Sequence, residues 1–178
     1  MSTSETRPPA EAEASAEAQE RLRRRTGDVP RPIGGYLAIG GAFASLTGGF
    51  AAWLIRSGRE LPVRPASVDV VGIAVATHKL SRLIAKDRVT SPLRRPFTSF
   101  EDNAGPGEVD ERARGTGLKR AIGELIVCPY CLSVWIATLL TAGLIVFPRA
   151  TRWSASVLSA VFASDVLQIV YKKLEDTL

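Results

Sequence analysis

Cysteine is almost missing from this chain of 178 residues: Cys128 and Cys131 are the two it has, and a single pair so spaced excludes the disulfide framework of a small secreted domain. Catalytic signatures are missing as well. No phosphate-cradling glycine loop, hydrolase triad or complete set of metal ligands can be read along the chain. No nucleic-acid module is present, so the formal charge of +5, from 23 basic and 18 acidic residues, is not read as a nucleic-acid footprint. The most informative lack is of charge where charge is expected. Residues 33–55 hold none, while charge crowds into 1–32, 56–64 and 86–120. A soluble core would interleave polar and apolar residues at helical or strand spacing instead.

A helix needs about 20 predominantly apolar residues to cross hydrocarbon. Four stretches are read as spans, 33–55, 66–86, 121–147 and 153–171. The second is the weakest, because Asp69 precedes its apolar centre and His78, Lys79 and Arg82 follow it. Lys79 and Arg82 lie toward one end, where long basic side chains can reach the interface. The first span carries Gly41, Ser45 and Gly49 at four-residue spacing, which is read first as a packing face within the bundle and second as a face for another copy.

The expected fold is therefore all-α: an integral membrane bundle of about four helices over 33–178, preceded by a disordered tail over 1–32. The run of apolar residues after that tail fits a signal anchor better than a cleaved signal peptide. The segment 87–120 contains Pro92, Pro96 and the turn Gly105-Pro106-Gly107. These argue against one long helix and for a loop that is part interfacial and part mobile.

Counting Lys and Arg beside the spans fixes an expected orientation. The tail cluster ending at Arg31, the 86–120 loop, and Lys172 with Lys173 all fall on one side of a four-span chain. The other side has only Arg56, Arg59, Arg64, Arg149 and Arg152. Both termini and the central loop are then cytoplasmic, in a bacterial plasma membrane, with anionic lipid head groups as the partner of the basic loops. If 66–86 did not cross, the most basic loop would be exported, so the count also argues for the weak span. Trp53 and Trp153 then mark the outer interface, Tyr36 and Tyr171 the inner one.

Polar groups at membrane depth mark function or helix-to-helix bonding. Measured from the basic ends of their spans, His78, Cys128 and Asp165 fall at one level, roughly 10–12 Å in at 1.5 Å per residue. Glu124, Cys128, Cys131 and Trp135 share one face of the third span if it is a continuous helix, and Pro129 is expected to kink it. Three readings compete for these residues. Cys128 and Cys131 can be a catalytic dithiol, since a pair two residues apart can close a disulfide. With His78 and Asp165 they can make a tetrahedral metal set, for which zinc is the natural ion. Or they are packing residues, with Asp165 or Glu124 pairing with Lys79 or Arg82 in an intramembrane polar cluster.

Two stretches resemble a known family. Thr77-His78-Lys79-Leu80-Ser81-Arg82-Leu83-Ile84, followed by Asp87-Arg88-Val89 and Pro92-Leu93-Arg94, looks like its first half. Glu124-Leu125-Ile126-Val127-Cys128-Pro129-Tyr130-Cys131-Leu132-Ser133-Val134-Trp135 looks like its second. The family is the bacterial one catalogued as domain of unknown function 1360, and the resemblance covers about 67–150. It implies a small multi-pass membrane protein and no particular reaction. The leading functional expectation is an accessory or scaffolding membrane component, not an enzyme, acting alone, as a homo-oligomer or with a membrane partner. The alternatives are a thiol-redox or metal-binding protein centred on the Cys-Pro-Tyr-Cys motif, and small-solute or proton transport by an oligomer.

Overall fold

The uncharged run does form a helix, α1, over Ile33–Arg56. The computed structural model describes residues 31–61 and 63–177, so the expected disordered tail lies, but for its last two residues, outside the described residues. The second stretch forms α2, Ser67–Ala85. A 3-10 turn at Arg88–Thr90 leads into the one-turn helix α3, Ser91–Arg94. Two strands follow, β1 Thr98–Gly105 and β2 Glu108–Ala113, and then α4 Gly117–Val127, α5 Pro129–Val146 and α6 Pro148–Glu175.

Three of these helices, α1, α5 and α6, are long and apolar enough to cross a membrane. Helix α2 is long enough, with 19 residues, but its polar residues keep it out of that group. Large apolar side chains point outward on all sides of the long helices: Leu37 is 72% exposed, Ile55 82% and Leu167 68%. In α1 the single buried residue is Gly35, and in α5 it is Ile136.

Helix α2 is the centre of the bundle and packs along both α5 and α6. Its buried residues are Ala76, Thr77, Ser81 and Ala85, all small, which lets the neighbouring backbones approach. Helices α5 and α6 form a tight hairpin through Phe147, with Pro148 opening α6 where a missing N–H costs nothing. A Cβ on Gly143 would lie 2.9 Å from Thr151 Oγ1, so the hairpin closes on a glycine. The ion pair of Asp69 with Arg152, at 2.7 Å, joins the start of α2 to the start of α6.

Four expectations need correction. The chain is not all-α, because 87–120, expected as part interfacial segment and part mobile loop, contains two strands. Its centre is an antiparallel hairpin in which Thr98 pairs with Ala113 and Phe100 with Glu111. The ladder continues onto the end of α2: Arg88 N–H donates to Gly107 O at 2.8 Å and Val109 N–H to Lys86 O at 2.9 Å. The Gly105-Pro106-Gly107 turn that argues against a helix is the hairpin turn.

The third expected span, 121–147, is two helices. Proline restricts the residue before it to extended backbone, and Cys128 sits at φ −100°, ψ 103°. Helix α4 is thus 11 residues, about 16 Å long, too short to cross hydrocarbon. It packs on α1 and β2. The helix that is long and apolar enough to cross starts at Pro129.

Among the described residues the Gly41, Ser45, Gly49 face packs against no other element. All three are exposed, and a Cβ on Gly41 or Gly49 would meet nothing within 4 Å. The packing glycine of α1 is Gly35, whose Cβ would lie 2.7 Å from Ala121 Cβ and 3.0 Å from Gly117 O.

Finally, Lys79 and Arg82 do not simply extend toward an interface: Lys79 meets Asp165, one of the pairings weighed above, and Arg82 meets Glu108 of β2, as described below.

Gly123 carries a testable consequence. Its Cβ would lie 2.6 Å from Phe97 O and 2.9 Å from Ala113 Cβ. Gly123→Ala must push α4 off the hairpin and is expected to cost about 1–3 kcal/mol, the usual scale of overpacking. Gly41→Ala, in open space within α1, is the control and should not destabilise, since alanine favours a helix interior over glycine by up to about 1 kcal/mol. Thermal unfolding of the purified variants distinguishes the two.

Candidate functional site

The polar residues singled out in the sequence separate into three places. The first lies on α2 and α6. Lys79 Nζ is 2.7 Å from Asp165 Oδ2, tying the two helices together. The residue before Lys79, His78, does not join a ligand set: its ring stands edge-on to Phe162 with centroids 5.2 Å apart.

The second place is the start of α5. Cys128 Sγ accepts the Cys131 N–H at 3.2 Å, so the first cysteine caps the helix that proline begins. No disulfide joins the pair, and Cys131 is exposed. Among the described residues no three His, Cys, Asp or Glu side chains come together as a metal-holding group. The four-ligand set of Cys128, Cys131, His78 and Asp165 is therefore not assembled. The break at Cys128 is one reason: depth counted along a continuous third helix does not apply across it. Glu124, expected on the cysteine face, turns instead to Arg120, 2.9 Å away, and accepts a short hydrogen bond from the Tyr36 hydroxyl of α1.

The third place was singled out in the sequence only through Arg82 and, as part of the family resemblance, Arg94; its acidic partners were not. Around the Lys86 end of α2, three basic residues meet three acidic residues of β2 in order. Arg82 grips Glu108 with contacts of 2.6 and 2.7 Å, and Lys86 meets Asp110 at 2.6 Å. Arg94 meets Glu111 at 3.0 and 3.2 Å through two guanidinium nitrogens. This last pair is fully enclosed, with side chains 1% and 2% exposed.

Every strong donor of Arg94 is used. Nη1 donates to Ile84 O and Thr90 Oγ1, both at 2.6 Å, and Nη2 donates to Asp87 O at 3.1 Å. Arg94 thereby binds carbonyl oxygens at the end of α2, where a cation also complements the helix dipole. Glu111 additionally accepts the hydroxyls of Ser91 at 2.5 Å and Thr98 at 2.6 Å. Burial pushes the Glu111 carboxyl up, but the bonds from Arg94, Ser91 and Thr98 outweigh it and hold the group below the ordinary carboxylate range. For Asp87 burial dominates and raises it, against the pull of Lys79.

One sequence signal could have found this network. In β2 the inward positions are Val109, Glu111 and Ala113, so a carboxylate occupies a core position of an alternating strand. Such a group requires a buried cation, and Arg94 stands in the Pro92-Leu93-Arg94 motif.

The chain is 29% identical over 109 residues to the sporulation protein YjcA of Bacillus subtilis, covering 60% of this chain and 92% of that one. It is 27% identical over 106 residues to the UPF0713 protein YngL of the same organism, covering 59% and 79%. No solved structure matches it. The model of the protein family of unknown function DUF1360 matches residues 73–171, which runs from α2 through the hairpin and α5 to the end of the apolar part of α6. That match takes in more than half of the chain and all three places described above, and the chain belongs to the DUF1360 family.

Proposed function

We propose that the protein is a multi-pass membrane scaffold, held by four crossing helices with both termini and the β-hairpin on the cytoplasmic side. The observation that carries this is where the charged candidates go. Lys79, Arg82, Lys86, Arg94 and Arg152 each pair with a carboxylate on a different element. They tie elements together instead of converging on a cavity. The outward-facing apolar residues of α1, α5 and α6 support immersion in lipid, since soluble monomers rarely expose such continuous apolar surface. Helix α2 crosses in this account because its polar residues are partnered: Lys79 by α6, Arg82 and Lys86 by the hairpin. A sporulation role is in the name of one relative; for this chain we extend the reading no further than an accessory role in a membrane process.

A second reading, thiol-redox chemistry, is favoured by one observation: the two cysteines adjoin at a helix start and Cys131 is exposed. Acid quenching of intact cells followed by mass-tagged alkylation separates the two. The scaffold reading expects both thiols free, as is normal on the cytoplasmic side. A largely disulfide population would replace it by the redox reading.

A further inference from the structure

Beside the enclosed Arg94–Glu111 pair lies a surface cavity of about 550 Å³ with Glu111 in its wall. Three guanidinium groups surround it, from Arg88, Arg95 and Arg114, with hydroxyls from Ser91 and Ser99. Glu111 is the one acidic residue in its lining, and its oxygens are already taken by Arg94, Ser91 and Thr98. Of the three arginines, Arg88 donates to Asn103 Oδ1 at 2.9 Å, a neutral acceptor. Among the described residues the side chains of Arg95 and Arg114 meet no carboxylate at all, although every other basic residue of α2 and the hairpin strands does. Three arginines around one concavity, none of them paired with a carboxylate among the described residues, form a site for a compact dianionic or monoanionic oxyanion. Arginines placed so close otherwise repel one another.

The surroundings indicate where that anion comes from. Val89 is 81% exposed, Leu93 78% and Phe100 63%, on the turn, the short helix and the strand that carry the cavity. Apolar side chains next to basic ones are the pattern of a surface that rests in the head-group region of a bilayer. We propose that the Arg88, Arg95 and Arg114 cavity binds a phosphate group, supplied by the head group of an anionic lipid. The source, though not the anion chemistry, rests on the membrane reading above.

The test is calorimetric titration of the full chain in nanodiscs of phosphatidylcholine, with dihexanoylphosphatidylglycerol as the lipid probe and inorganic phosphate as the free-anion probe. Saturable binding of the lipid probe is expected. Arg95→Gln/Arg114→Gln should weaken it at least tenfold, about the effect of losing one charge-assisted hydrogen bond. Arg112→Gln, which removes the partner of Glu101 instead, should leave it unchanged. The three arginines are exposed, so the variants are expected to fold, and circular dichroism checks this. Equal affinity in the wild type and the double variant would overturn the proposal. Binding of inorganic phosphate as tightly as the lipid would overturn the lipid source. Whether the chain resists alkaline carbonate extraction is read separately: release with the lipid-probe result intact would sink the membrane reading and leave the anion site standing.

Discussion

Arg94→Ala is expected to destabilise the protein by about 3–5 kcal/mol, because it leaves the Glu111 carboxylate buried without its cation. Few single changes to the chain should cost more. The side chain is 1% exposed and holds four partners on three segments: Ile84 and Asp87 at the end of α2, Thr90 in the turn, and Glu111 on β2. Denaturant titration of the purified protein reads the loss. Arg94→Met/Glu111→Leu removes both charges and should recover much of it, since the penalty comes from the orphaned charge more than from the missing attraction. If the double variant were no better than the single one, the pair would not be what joins hairpin to helix.

The same pair predicts a dependence on pH. The folded Glu111 carboxyl is held below its unfolded value. Its stabilisation is therefore fully present above the ordinary carboxylate range and is lost as pH falls through the depressed folded value. Glu111→Gln should flatten that acid limb, measured as unfolding midpoint against pH.

The second large effect is expected at Asp165. Asp165→Ala strands the Lys79 ammonium, which is 2.7 Å from its carboxylate and 13% exposed. At bilayer depth a lone Lys costs about 2.5–3.5 kcal/mol, and the variant should lose roughly that in a reversible detergent unfolding assay. The charge-swapped double variant, Lys79→Asp/Asp165→Lys, should regain more than half. A loss below about 1 kcal/mol, the range of an exposed pair, would place this bond in water and count against the four-crossing account.

The helices were legible because hydrocarbon imposes a simple demand. Twenty residues without charge, as in 33–55, have few alternatives to a spanning helix. The break at Cys128 was half legible. Pro129 announces a disruption, but a kink and a full stop look alike in one sequence, and the difference moved Glu124 from the cysteine face to Arg120 and Tyr36.

The hairpin was illegible for a physical reason. In β1, Thr98 is the single buried residue, so the strand shows no apolar alternation. In β2 the alternation runs through Glu111, whose burial is made tolerable only by Arg94, a residue on a different element. Secondary-structure patterns report apolar burial, and this module is held by charge. The same is true of the Lys79–Asp165 tie: depth along the helices brought Asp165 and the α2 cations to one region, but it could not choose among partners.

In the four-crossing arrangement proposed above, α1 and α2 both cross, leaving the hairpin on the cytoplasmic face and the segment between them outside. Substituted-cysteine labelling with a membrane-impermeant maleimide tests it, on a background carrying Cys128→Ser and Cys131→Ser. Ser57→Cys follows α1, and Ser99→Cys lies in β1. The account predicts that Ser57→Cys is labelled in intact cells and Ser99→Cys only after permeabilisation. Labelling of both positions under the same condition would mean that α2 does not cross, and would contradict it.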